Sequence, residues 1–216
     1  MSYRKYDTCF FERYASLALQ TLLGHKFDGL VNEDRPDLQS EDGKTLGIEV
    51  TRAMEGGKLA ARTLLKEMAG IRPVDSPERS EMESIVANGY AYGLQKGRFI
   101  GTSEYSYWKL ARPLKDIIHN KVGKVSSGFY GDFREFGLFV FCQDVLSGED
   151  VVKATKYTMD LQKDADIYYA RLFLFDLSCM YACNLEEGIA MEHRITACEV
   201  TQEQRKEFYL GSLRCQ

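Results

Sequence analysis

The chain has 216 residues, 44% of them hydrophobic and 28% charged, enough for one well-buried core in a single α/β domain spanning 1–216. A formal net charge of −4 excludes a protein that coats nucleic acid through its bulk field, but not one that meets nucleic acid at a local site. No apolar stretch approaches the length of a membrane span and residues 1–7 lack the apolar run of a secretory signal, so a cytoplasmic protein without membrane contact is expected.

Residues 10–23 carry apolar side chains at Phe11, Ala15, Ala18 and Leu22, the spacing of a helix with Thr8 as its N-cap and Gly24 as its stop. Glu12 lies at the edge of that stripe. Residues 25–32 read as a turn entering a short first strand. From Arg35 to Thr51 the pattern is a hairpin: Pro36, Asp37 and Leu38 enter a turn at Asp42 and Gly43, and residues 46–51 leave it. Asp-Gly between strand formers favours a tight turn, because glycine tolerates the positive φ required there. Side-chain alternation sends Glu49 and Thr51 to one face and Ile48 and Val50 to the other. A carboxylate on such a strand needs a metal, a cation or solvent, and by itself an Asp/Glu pair across a hairpin is most often surface.

Residues 54–69 repeat Leu59, Ala60, Thr63, Leu64 and Met68 at helical spacing, with Lys58, Arg62 and Lys66 on another face. A connector precedes a helix near 78–88, and residues 89–101 interleave glycine, tyrosine and cations. The stretch 71–107 is expected to be an insertion carrying recognition elements. Residues 108–122 predict a helix with Leu110, Leu114, Ile117 and Ile118 inward; Lys121 and Lys124 at its end complement the helix dipole. Residues 136–142 form a continuous apolar run, as does the stretch 168–176 ending in Asp176, with a crossover helix opening at Gly148 between them. That order implies parallel neighbours. Asp176 ends that strand and either faces a site or, the commoner role, caps a loop. Residues 189–201 predict a late strand or two on an edge, and 203–210 a short terminal helix or tail. The six cysteines lack paired zinc-ligand spacing, so buried free thiols are expected.

Pro36-Asp37 followed by Glu49-Val50-Thr51 resembles the PD-(D/E)XK signature of the restriction-endonuclease-like nucleases. The resemblance implies a mixed central sheet flanked by helices in α-β-β-β-α-β order with a helical insertion, and a divalent-metal-dependent phosphodiesterase acting on DNA or RNA. It implies Mg²⁺ or Mn²⁺ held by Asp37 and Glu49, with the Val50 carbonyl and the helical Glu12 as further oxygen ligands. By analogy with double-strand cutters it suggests a homodimer. The chain departs from the signature at Thr51, where the family has lysine, and a hydroxyl cannot neutralise developing negative charge as an ammonium does. Lys58 on the following helix is the expected substitute and third catalytic residue, with Arg52, Lys44, Lys121 and Lys124 as other sources of the cation. Thr51 and the acidic balance also motivate an alternative, a nuclease-like binding or regulatory module without catalysis.

Overall fold

A computed structural model describes residues 9–53, 68–69, 94–95, 98–99, 113–142 and 145–213. The first helix, α1 (Phe10–Leu23), ends at Gly24, whose φ of 79° turns the chain out of the helix while its N–H donates to the Gln20 carbonyl. Its start differs from expectation: Cys9 holds the N-cap position without a side-chain cap, and Thr8 lies outside the described residues. The buried stripe is also rotated, running through Phe10, Tyr14, Ala15, Ala18 and Leu19. Phe11 and Leu22 pack at its margin, because the α1 face toward the sheet also has to receive a helix from the C-terminus.

Three strands follow: β1 (Val31–Asn32), β2 (Leu38–Gln39) and β3 (Leu46–Ala53). Between β2 and β3 the turn is held by Asp42, which accepts hydrogen bonds from Ser40 Oγ, Thr45 Oγ1 and the Lys44 and Thr45 amides. Those bonds hold the Asp42 carboxyl well below the usual carboxylate range. Gly43 takes the positive φ, 61°, that the Asp-Gly pair anticipates.

Most of 54–112, including Lys58, the expected helix and most of the insertion, lies outside the described residues. Met68 is fully buried in the core, and β4 (Leu94–Gln95) pairs with β5 (Arg98–Phe99) as a small antiparallel ribbon. The chain continues through α2 (Pro113–Ser126), β6 (Glu135–Cys142), α3 (Gly148–Gln162), β7 (Tyr169–Phe175), β8 (Cys179–Asn184), β9 (Ile195–Glu199) and α4 (Gln202–Ser212). Cys179 and Cys183 lie on β8, a strand of its own after the apolar run of β7.

The seven-stranded mixed sheet has the order β1-β2-β3-β6-β7-β8-β9. Its centre, β3-β6-β7, is parallel; both flanks are antiparallel. Parallel pairing follows from the crossovers, since a parallel neighbour cannot be reached by a tight hairpin. Alternation divides the core. Leu46, Ile48 and Val50 of β3 join Phe139, Phe141, Phe173 and Phe175 beneath α1 and α4. On the other face Ala53, Leu138, Val140, Leu172 and Leu174 meet Leu114, Ile118 and Val122 of α2 and Val151 and Ala154 of α3. Glu49, of the same parity as Ala53, therefore faces α2.

Asp176 is 1% exposed and accepts from the amides of Leu146, Ser178 and Cys179 and from Ser178 Oγ. It caps the β7–β8 turn, as expected of an aspartate ending a strand. Cys142, Cys179 and Cys183 are buried free thiols. Among the described residues no helix is long and apolar enough to cross a membrane.

Candidate metal centre

Register brings the two carboxylates of the hairpin together. Leu38 pairs with Ile48 and Gln39 with Gly47, so one further step along the same antiparallel register sets Asp37 opposite Glu49. Asp37 is fixed there by its backbone: its Oδ2 accepts a 2.8 Å hydrogen bond from the Val50 amide. Because N–H and C=O of one strand residue point to the same side, the Val50 carbonyl faces the same open edge of β3, beyond the end of β2.

Gly47 explains how Asp37 is placed. A Cβ at Gly47 would stand 2.6 Å from Pro36 Cγ and 3.0 Å from Phe133 Cγ. Only a residue without a side chain lets the Pro36 ring lie across β3, and Asp37 is the next residue.

Glu49 is 7% exposed, and its Oε1 receives the Lys121 ammonium in a largely buried ion pair. Lys121 comes from α2, where it stands three and four residues beyond Ile118 and Ile117 and seven beyond Leu114. It continues the inward stripe of that helix. The dipole reading of Lys121 is therefore replaced by a direct role at the carboxylate. The other candidate cations lie elsewhere: Lys124 Nζ stands 5.2 Å from the Phe129 ring centroid and the Arg52 guanidinium 4.3 Å from that of Phe11. Lys44 is at the Asp42 turn.

The Asp37 carboxyl is pushed up to about 6, first by burial and then by the negative charge of Glu49 and, more weakly, Glu12; the Val50 bond and Lys121 pull it down. Glu12, in the first turn of α1, thus lies within electrostatic reach of Asp37. Among the described residues, Lys121 is the cation at Glu49 and in electrostatic reach of Asp37. Two tyrosines close the inner side. Tyr169 Oη donates to the Lys121 carbonyl at 3.3 Å. Tyr130 is 2% exposed and stands beside Glu49. Burial first, then the charge of Glu49 for Tyr130 and the Tyr130 phenol and Glu49 for Tyr169, raise the ionisation of both phenols, while the Tyr169 hydroxyl pulls Tyr130 partly back, so both keep their protons.

The donor set fits a small hard cation: two carboxylates on facing strand positions and a strand carbonyl, all oxygen. Among the described residues no three His, Cys, Asp or Glu side chains are gathered as a complete metal cage. Mg²⁺ commonly takes one or two carboxylates and fills the rest of its octahedron with water and substrate oxygen.

Of the residues expected from sequence, the fold brings Asp37, Glu49 and Val50 to one edge, with Glu12 in electrostatic reach of Asp37, while Lys58 lies outside the described residues. Tyr130 and Tyr169 were missed, because nothing in their local sequence marks them; only packing places them at Glu49. No family model, curated protein or solved structure matches the chain.

Proposed function

We propose that the protein is a divalent-metal-dependent phosphodiesterase acting on DNA or RNA, built on a restriction-endonuclease-like core. The observation that carries this reading is the meeting of Asp37 and Glu49 at the open edge of β3 with Lys121 on the Glu49 carboxylate. The order of elements supports it, with a helix, an antiparallel hairpin and a parallel strand reached through α2.

In this reading Asp37, Glu49 and the Val50 carbonyl hold Mg²⁺ or Mn²⁺, and Glu12 is an outer ligand. When bound, the ion supplies Lewis-acid polarisation of the phosphate and a more acidic attacking water. Lys121 fills the role that Thr51 cannot, placing an ammonium where negative charge develops on the transferring phosphoryl group. Its route differs from the motif, arriving from a helix 70 residues downstream of Thr51 instead of two residues after the glutamate. Lys121 thereby takes the place first assigned to Lys58.

The Glu49 ion pair also favours a second reading. A lysine that already neutralises Glu49 would let the same core persist as a binding module without turnover. The two separate by experiment. The wild-type chain should cleave single- or double-stranded DNA or RNA only with Mg²⁺ or Mn²⁺, and Asp37→Ala or Glu49→Ala should abolish cleavage while leaving the circular dichroism spectrum intact. Cleavage retained by either variant sinks the catalytic assignment; Mn²⁺ binding by calorimetry without cleavage of any substrate leaves the module.

A further inference from the structure

The chain leaves α2 through a glycine stop. Gly128 takes a φ of 71°, its amide donates to the Val125 carbonyl and the Phe129 amide donates to the Lys124 carbonyl. Helices that end through this pair of bonds commonly pack the second residue past the cap on an apolar side chain one turn back. Here the residue one turn back is Lys124. Phe129 is left 45% exposed, with the Lys124 ammonium 5.2 Å from its ring centroid. The Arg35 guanidinium stands 5.0 Å from the same ring. The ring is held in place by Tyr130, which is 2% exposed and meets it edge-on with 5.2 Å between centroids.

Three independent connections put this patch beside the metal centre. Arg35 precedes Asp37 by two residues, and the Pro36 ring between them lies across β3 at Gly47. Lys124 follows Lys121 on α2 by three residues, a spacing that makes the two side chains neighbours. Phe129 adjoins Tyr130, whose hydroxyl stands beside Glu49. Lys121 is spent on Glu49, whereas Arg35 and Lys124 are exposed. Arg35 has an Asp34 oxygen at 3.5 Å, and a pair so exposed holds it weakly. Two cations gathered on one ring repel each other, and their contacts with an exposed ring are weak enough to exchange. An exposed ring with two cations matches a nucleic-acid strand, because every base has a face to stack and every nucleotide a phosphate.

We propose that Phe129, Arg35 and Lys124 bind the nucleotide next to the scissile phosphate of a single-stranded nucleic acid. Its base stacks on the Phe129 ring, and its outer phosphate lies between the two cations. The proposal deepens the phosphodiesterase reading and rests on it for the position of the cut. The incoming base displaces the cations from the ring, and they turn to the phosphate. A base inside a duplex is already stacked and cannot offer its face without flipping out, so the site selects single strands. Stacking tolerates every base, so the selection is by strandedness and not by sequence.

Fluorescence anisotropy with labelled oligothymidylate and oligouridylate tests it, in the presence of chelator so that no strand is cut. Phe129→Leu keeps an apolar side chain at the helix stop but offers no ring; it should weaken binding by about tenfold or more, while Phe129→Tyr stays within about twofold of wild type. An abasic strand of equal length should bind wild type and Phe129→Leu alike. Arg35→Gln and Lys124→Gln should each reduce the slope of log affinity against log salt by about 0.7, and Phe129→Leu should leave that slope unchanged. A duplex of equal length should bind more weakly than the strand.

Wild-type affinity in Phe129→Leu overturns the proposal. So does a salt slope reduced in Phe129→Leu as in the cation variants, which would make the ring a prop for Arg35 and Lys124. A duplex bound as tightly as the strand overturns it as well. A wild type that shows the expected binding yet cleaves nothing with Mn²⁺ refutes the phosphodiesterase reading alone and leaves the strand site to the binding module. Metal-dependent cleavage of single strands with kcat/KM unchanged in Phe129→Leu refutes this proposal alone.

Discussion

Replacing Asp37 with asparagine should stabilise the protein at pH 8 and have no effect near pH 4. The Asp37 carboxyl moves from 3.8 to about 6 on folding, so between those values the folded chain holds a proton that the unfolded chain has released. Stability therefore falls as pH rises through that window, and above pH 6 the full cost of the ionised carboxylate is present. A shift of about two units corresponds to about 3 kcal/mol at full burial, and Asp37 is only half-buried, so solvent screening reduces this to roughly 1–2 kcal/mol. Asparagine keeps an oxygen for the Val50 amide and removes the charge that Glu49 and Glu12 oppose. Urea unfolding of both proteins at half-unit steps from pH 4 to pH 8 should show curves that coincide at the acid end and separate by that amount above pH 7. Saturating Mn²⁺, at about 100 times its dissociation constant, should add about 2.7 kcal/mol to wild type at pH 8 and little to the variant. A variant less stable than wild type at pH 8, or a gain independent of pH, would refute the picture of an Asp37 carboxylate disfavoured by burial and by the charge of Glu49.

Two other perturbations probe the same edge. Lys121→Met keeps the aliphatic stem and removes the ammonium; loss of one partner from a buried pair costs about 3–5 kcal/mol, which protonation of Glu49 and partial solvent access should reduce to about 2–3 kcal/mol at pH 8. Calorimetry should find Mn²⁺ affinity retained or raised while cleavage is lost, and the same loss in Lys58→Met with Lys121→Met still active would return the role to Lys58. Gly47→Ala places a methyl 2.6 Å from Pro36 Cγ, and should cost about 1–3 kcal/mol of overpacking and weaken Mn²⁺ binding by displacing Asp37. Gly123→Ala, on α2 with open space around it, is the control and should be neutral or stabilising in thermal melts.

Much of the fold is legible in the local pattern because its causes are local. Asp42 and Gly43 announce their turn through side-chain bonds and a positive φ. The apolar runs at 136–142 and 169–175 read as covered strands because both faces are indeed packed. The strand β8 was harder to see: Cys179, Met180 and Cys183 are interrupted by Tyr181 and Ala182, and a strand beside a sheet edge alternates too weakly to stand out from the run before it. The rotation of the α1 stripe is invisible in sequence for a related reason, since Phe10 and Tyr14 are buried against α4, nearly 200 residues away.

At the site, alternation alone determined that Glu49 shares a face with Thr51 and not with Ile48, and the hairpin alone determined that Asp37 returns to its side. The sequence also contained a clue to the cation, a lysine at position 121 on the stripe of Leu114, Ile117 and Ile118, where an apolar residue is expected. Which of several cations meets Glu49 is a matter of which helix covers that face of β3. That depends on the sheet order and on the packing of α2, and no spacing within the motif encodes it. Only the tertiary structure brings Lys121, Tyr130 and Tyr169 around one carboxylate, because burial of a charge selects its partners by proximity in space and not along the chain.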